Sequence, residues 1–244
     1  MKKVLLGLVV SLGTSTTLYA DQATDWGYEA NNAPEKWASL SEKYHACSGL
    51  NQSPIDIKNT TSAKLEPLKF NYAATAKSIV NNGHTVQVDF NAGNTLTLDG
   101  QEFVLKQFHL HSPSENKING VSYPMEMHLV HANAQGELAV VAVMYQKGQL
   151  NQSLAQIWSN LPKQAGQSFM FTGNLDAASF LPKKLDYYRF NGSLTTPPCT
   201  EGVRWIVLKD IQSASEAQFD EFNKLLAHPN NRPVQPVNAR IVLE

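Results

Sequence analysis

The run Leu138-Ala139-Val140-Val141-Ala142-Val143-Met144 is apolar at every position. Successive side chains of a strand point to opposite faces, so such a run is buried on both sides. It predicts a central strand with material packed above and below. Around it lie shorter segments of strand character: Gln107 to His111, Glu126 to His131, and Arg204 to Leu208. Val86-Gln87-Val88-Asp89-Phe90 and Thr95-Leu96-Thr97-Leu98 flank Asn91-Ala92-Gly93-Asn94, which predicts a hairpin. Two stretches have helical spacing. Leu150, Leu154, Ile157, Trp158 and Leu161 recur at helix intervals until Pro162, and Ser213 with Glu216 gives a capping-box signal ahead of Phe219, Phe222, Leu225 and Leu226. The expectation is a mainly β, single-domain fold, a large sheet with short peripheral helices.

Composition narrows the function classes. The chain has 244 residues and a formal net charge of −1. That balance excludes a polybasic nucleic-acid binder and an acidic solvating tail. No linker-like stretch and no internal repeat divides the chain. Its first twenty residues differ from the rest. Lys2 and Lys3 precede a mostly apolar run from Val4 to Leu12, and Leu18-Tyr19-Ala20 follows. This predicts a secretory signal peptide over 1–20, cleaved after Ala20, and a mature domain over 21–244. The apolar run is too short to span a bilayer, and no later stretch is long enough. The protein is therefore expected in the periplasm or outside the cell. In an exported protein the two cysteines, Cys47 and Cys199, are most simply a disulfide.

The histidines carry the chemistry. In Gln107-Phe108-His109-Leu110-His111, strand alternation puts Gln107, His109 and His111 on one face. In Glu126-Met127-His128-Leu129-Val130-His131 it puts Glu126, His128 and Val130 together. If the two strands are neighbours, three imidazoles converge, which suits a zinc ion with one open coordination position. Gln107 and Glu126 each lie two residues before a histidine, on the same face, where they can fix that ring's tautomer. His131 is the other option for the third ligand. It lies on the opposite face and reads as a core histidine.

These segments, with Ser112-Pro113-Ser114-Glu115-Asn116 between them, resemble the zinc-site strands of the α-class carbonic anhydrases, and the bacterial branch most. Trp26-Gly27-Tyr28-Glu29, Asn51-Gln52-Ser53-Pro54-Ile55-Asp56-Ile57 and Asn81-Asn82-Gly83-His84-Thr85-Val86 are similar to further motifs of that family. So are Gly192-Ser193-Leu194-Thr195-Thr196-Pro197-Pro198-Cys199 and Asn231-Arg232-Pro233-Val234-Gln235-Pro236. The motifs follow in the family's order from Trp26 to the C-terminus.

The resemblance implies a large, mostly antiparallel twisted sheet with a few parallel pairings. It implies one zinc on His109, His111 and His128, with Gln107 and Glu126 behind the ligands. The activity implied is that of a zinc lyase: zinc-bound hydroxide attacks carbon dioxide and gives bicarbonate and a proton. Thr195 would donate to Glu115 and orient the nucleophile, with Thr195 and Thr196 at the substrate. Val130, Val140, Leu194 and Trp205 would line an apolar pocket for carbon dioxide. His84 would shuttle the proton to solvent, since an ordinary imidazole titrates near neutrality. Tyr28, Asn82 and Gln87 would order the intervening waters. The implied partners are carbon dioxide and bicarbonate, with no nucleic acid and no membrane span; a homodimer stays open. A related protein that only binds partners, or another exported zinc hydrolase such as an esterase, is the alternative reading.

Overall fold

A computed structural model describes residues 26–226 and 228–244. The expected signal peptide lies outside the described residues. The strands in chain order are β1 (Asp56–Ile57), β2 (Lys69–Tyr72), β3 (Ala76–Asn81), β4 (Val86–Phe90), β5 (Asn94–Leu98), β6 (Gln101–His111), β7 (Lys117–Ile118), β8 (Met125–Ala132), β9 (Leu138–Lys147), β10 (Ser168–Met170), β11 (Tyr187–Ser193), β12 (Glu201–Leu208) and β13 (Gln212–Ala214). Three short α-helices accompany them: α1 (Trp37–Leu40), α2 (Gln152–Trp158) and α3 (Glu216–Leu226).

Among the described residues eleven strands form one sheet, whose main path runs β10-β3-β4-β6-β8-β9-β12-β11. Most neighbours are antiparallel, and β12 and β13 pair with β9 in parallel. The all-apolar run is β9, flanked by β8 and β12 and buried from Ala139 to Tyr145. Its two faces belong to two cores. Ala139, Val141, Val143 and Tyr145 join Phe108, Leu110, Met127 and Leu129, which are covered by Leu154 and Ile157 of α2 and by Phe219 and Phe222 of α3. Val140, Ala142 and Met144 join Ile55, Ile57, Val203, Trp205 and Val207 on the other side. Burying each such side chain contributes roughly 1.5–3 kcal/mol, so the double-sided strand locks the register of the centre.

The expected hairpin over Val86–Leu98 does not form. β4 and β5 both run antiparallel to the long β6, Val88 opposite Phe108 and Leu96 opposite Phe103, so they are one interrupted strand. The polar residues between them bond elsewhere. Asn94 exchanges two side-chain hydrogen bonds with the Ala74 backbone, both 2.9 Å, and the Asn91 amide donates to the Thr75 carbonyl. The actual hairpin joins β5 to β6 at Asp99-Gly100, where both residues have positive φ (51° and 75°). Asp-Gly is the pair that such a two-residue turn favours.

Both helices are placed by the apolar spacing, with corrected ends. α2 stops at Trp158, four residues before Pro162, and Asn151 caps it by accepting the Leu154 N–H at 3.0 Å. Leu150 precedes the helix and is exposed. The capping box of α3 is Ser215 with Gln218, not Ser213 with Glu216. Gln218 Oε1 accepts the Ser215 N–H at 3.1 Å, and Ser215 Oγ accepts the Gln218 N–H at 3.4 Å. Ser213 belongs to β13.

Cys47 and Cys199 form a disulfide across a sequence separation of 152. It packs with Trp37 beneath the N-terminal segment, beside the loop that carries Thr195. A closed loop of this length reduces the entropy of the unfolded chain by about 5 kcal/mol in the chain-entropy account. The protein should show no titratable thiol under non-reducing conditions, and reduction should lower its melting temperature. Two free thiols in the folded protein, or an unchanged melting curve after reduction, would contradict this.

Candidate metal centre

β6 and β8 are adjacent and antiparallel, with His109 directly opposite His128 and His111 opposite Glu126. The period-two geometry therefore delivers His109, His111 and His128 to one side of the sheet. One ligand nitrogen from each lies within 4.8 Å of the others. His131 points to the opposite core. There Tyr72 Oη lies 2.7 Å from its Nε2, and Nδ1 is 3.3 Å from the Ala139 carbonyl. Burial pushes its pKa down to about 4, so it is a neutral, partnered core residue.

Each ligand ring is oriented from behind. His109 Nδ1 donates to Gln107 Oε1 at 2.8 Å, and His111 Nδ1 donates to the Asn230 carbonyl at 2.7 Å. These bonds leave Nε2 of both rings with a lone pair. His128 is reversed: its Nε2 lies 2.9 Å from Glu126 Oε1, which turns Nδ1 toward the centre. Burial holds all three imidazoles below their ordinary pKa. They are neutral at pH 7, as metal ligation requires.

Among the described residues three buried atoms at the centre lack a hydrogen-bond partner: His128 Nε2, close to Glu126 but not aligned with it for a hydrogen bond, and the pair His111 Nε2 and Glu115 Oε2. The last two are 3.4 Å apart, and Glu115 Oε2 is 3.8 Å from His128 Nδ1. Unpartnered buried polar atoms are costly. Here that pair faces the point on which the three rings converge. The donor set, three neutral imidazoles of which His109 and His111 have tautomers fixed by carbonyl oxygens, fits a tetrahedral divalent cation such as zinc.

Glu115 and Glu126 are tied into one buried network. Glu126 accepts the backbone N–H groups of Glu115 and Asn116 at 2.7 and 2.8 Å and the Asn116 side-chain amide at 2.7 Å. Burial still raises its pKa to about 7 against those bonds. Glu115 Oε1 accepts the Arg232 N–H at 2.8 Å. Burial pushes the Glu115 carboxyl well up, while the Arg232 N–H and the Thr195 hydroxyl pull it down. Thr195 is itself buried, in a loop closed by Leu194 N–H donating to Thr200 O and Cys199 N–H to Thr196 O, both 2.9 Å.

Val130, Val140 and Trp205 line up in register across β8, β9 and β12. The Trp205 ring stands edge-on to His128 at 4.9 Å, and Leu194 packs on the same cluster. Thr196 is half-buried beside it. Away from the sheet, His84 is half-buried, stacks on Trp26 at 3.8 Å and meets Tyr28 edge-on at 6.5 Å. Asn82 Oδ1 accepts the N–H groups of His84 and Thr85, both 2.9 Å, so its side chain builds the turn that presents His84. Gln87 lies opposite His109 in the sheet, and its amide donates to Asp89 at 2.7 Å. Residue patterning missed Asn230 and Arg232 as parts of the site. The Asn231-Arg232-Pro233 motif marked the neighbourhood, yet nothing in it pointed to the Asn230 carbonyl as the support of His111.

The model of the eukaryotic-type carbonic anhydrases matches residues 32–244. The chain belongs to that family. The carbonic anhydrase of Neisseria gonorrhoeae is 49% identical over 223 residues, 91% of this chain and 88% of its own. That of Klebsiella pneumoniae is 45% identical over 245 residues, 99% of this chain and 100% of its own. Among solved structures, the alpha-carbonic anhydrase of Thermovibrio ammonificans in complex with the inhibitor sulfanilamide superposes with a TM-score of 0.89. It is 45% identical, over 91% of this chain and 99% of that one. The large mixed sheet is thus that of a carbonic anhydrase chain, and it carries the His109, His111 and His128 cluster. No helix among the described residues is long and apolar enough to cross a membrane.

The ligand set is tested by metal content. His128→Ala should lower bound metal per chain well below that of the wild type. His131→Ala should retain the metal while lowering the melting temperature, because Tyr72 loses its buried partner. Full metal content in His128→Ala would overturn the assignment.

Proposed function

We propose that this protein catalyses the reversible hydration of carbon dioxide to bicarbonate and a proton, with one zinc on His109, His111 and His128. The observation that carries the reading is the convergence of three neutral imidazoles within 4.8 Å of one another, with the unpartnered Glu115 oxygen beside two of them. When bound, zinc supplies a nucleophile at neutral pH by acidifying water, behaviour for which carbonic anhydrase is itself the reference case.

The protein's own residues supply orientation, shape and proton transport. Thr195 donates its hydroxyl proton to the Glu115 carboxylate. Its oxygen is left as an acceptor, which receives a hydrogen from the nucleophile and fixes the direction of the attacking lone pair. Arg232, through its backbone N–H, holds Glu115 in place for this. The Thr195 N–H and Thr196 are at hand for the substrate oxygens. Carbon dioxide has no net dipole, and the wall formed by Val130, Val140, Leu194 and Trp205 offers it apolar contacts without polar competition. His84 receives the released proton through water ordered by Tyr28, Asn82 and Gln87. The Cys47–Cys199 disulfide is in keeping with an exported protein, periplasmic or secreted, after removal of 1–20. A partner-binding relative without activity has less support, since every expected metal ligand is present.

Direct measurement of carbon dioxide hydration alongside zinc content tests the reading; a zinc-loaded protein with no hydration activity would end it. Thr195→Val should keep zinc and lower kcat/KM by about 10²-fold, the scale of losing one orienting contact. Unchanged kcat/KM would remove Thr195 from the mechanism. His84→Ala should slow steady-state hydration at low buffer and leave carbon dioxide–bicarbonate interconversion at equilibrium nearly intact. Added imidazole should restore turnover. Equal rates for variant and wild type at low buffer would show that protons leave elsewhere.

A further inference from the structure

Each hydration cycle releases one proton, and two imidazoles lie against the ring of Tyr28. His84 meets it edge-on at 6.5 Å, and His228 meets it at 6.1 Å, tilted 41°. The two segments are also joined by the Asn230 side chain. The Asn230 side chain donates to the His84 carbonyl at 3.0 Å and to the Leu110 carbonyl at 2.9 Å, while its own carbonyl holds the ligand His111. Asn230, two residues after His228, is therefore tied to both His84 and His111.

The ring of His228 has a defined tautomer. Its Nδ1 is 3.0 Å from the Pro229 carbonyl. A carbonyl can only accept, so Nδ1 carries the hydrogen and Nε2 keeps the basic lone pair. His228 is half-buried and forms one wall of a surface hollow of about 420 Å³. The hollow is otherwise lined by Ser112 and Pro113 after β6, Pro124 before β8, Phe219 and Asn223 of α3, and Pro229. None of these carries a charge, and Tyr28 on the cavity side is a neutral phenol.

We propose that His228 is a second proton-relay residue, which takes protons from the cavity at Nε2 and releases them to buffer in the hollow beyond Tyr28. An O–H bond of cavity water breaks, the Nε2–H bond forms, and the ring becomes imidazolium. A buffer base then removes that proton and restores the neutral ring. This inference rests on the carbonic anhydrase reading of the same site.

The experiment compares wild type, His84→Ala, His228→Ala and the double variant, each zinc-loaded. Isotope exchange at chemical equilibrium reads two rates in one sample: carbon dioxide–bicarbonate interconversion, which needs no proton transfer, and release of labelled water, which does. His84→Ala should retain a residual label-release rate. The double variant should lose about tenfold more, a modest effect for a positioned proton-transfer group. Interconversion should be unchanged, and added imidazole should recover the lost rate. A double variant with the same label release as His84→Ala would overturn the proposal. If the double variant also loses interconversion, its fold is damaged. His84→Ala/His228→Gln then decides, because glutamine can still donate to Pro229 but cannot relay a proton. Absence of interconversion in the wild type would instead refute the parent reading.

Discussion

The site depends on the register between β6 and β8. With His109 opposite His128, all three ligand rings and their supports Gln107 and Glu126 share one face. A slip of one residue on either strand would send its histidines into the opposite core and its leucines into the site. Register is held less by the histidines than by what lies behind them. Phe108, Leu110, Met127 and Leu129 are fully buried in the other core, and β9 is apolar on both sides. The histidine cluster is thus positioned by hydrophobic burial on the opposite face of the sheet.

The second constraint is the C-terminal strap. Arg232 is 2% exposed, and a buried guanidinium is costly unless it is well bonded. It donates to Gln52 Oε1 and the Ser53 carbonyl, both 2.8 Å, and to the Cys47 carbonyl at 2.9 Å, and it lies over the Trp37 ring. Burial lowers its pKa to about 10 while Glu115 opposes the shift. This cation joins the N-terminal segment, the disulfide and the Glu115 carboxyl. Chain remote in sequence is thereby drawn around the cavity.

Legibility in the sequence followed the length scale of each interaction. Strand identity and the convergence of His109, His111 and His128 were readable because period-two alternation is local, and His131 was separable from His128 by parity alone. The β4–β5 hairpin was misread because its turn residues, Asn91 and Asn94, bond to Thr75 and Ala74 instead of closing the turn. Asp99-Gly100, the true turn, was the stronger local signal. The α3 capping box was real but two residues displaced. The Asn230 carbonyl was unreadable in principle, since any residue supplies a carbonyl and only the tertiary path of 228–232 aims this one. The arginine motif was recognised by resemblance, while its bonding was set by contacts about 180 residues away in sequence.

Strand β8 divides its labour by the parity of residue number. Glu126, His128 and Val130 face the chemistry; Met127, Leu129 and His131 face the core packed on α2 and α3. Adjacent positions therefore answer to separate selective pressures. Drift at the odd positions is screened by folding yield, and drift at the even ones by turnover. A lineage adapting to a hotter environment can repack the odd side while the reaction goes on unaltered a single peptide bond away. In this strand durability and catalysis can therefore change separately only while the repacked side keeps the register that sets the site.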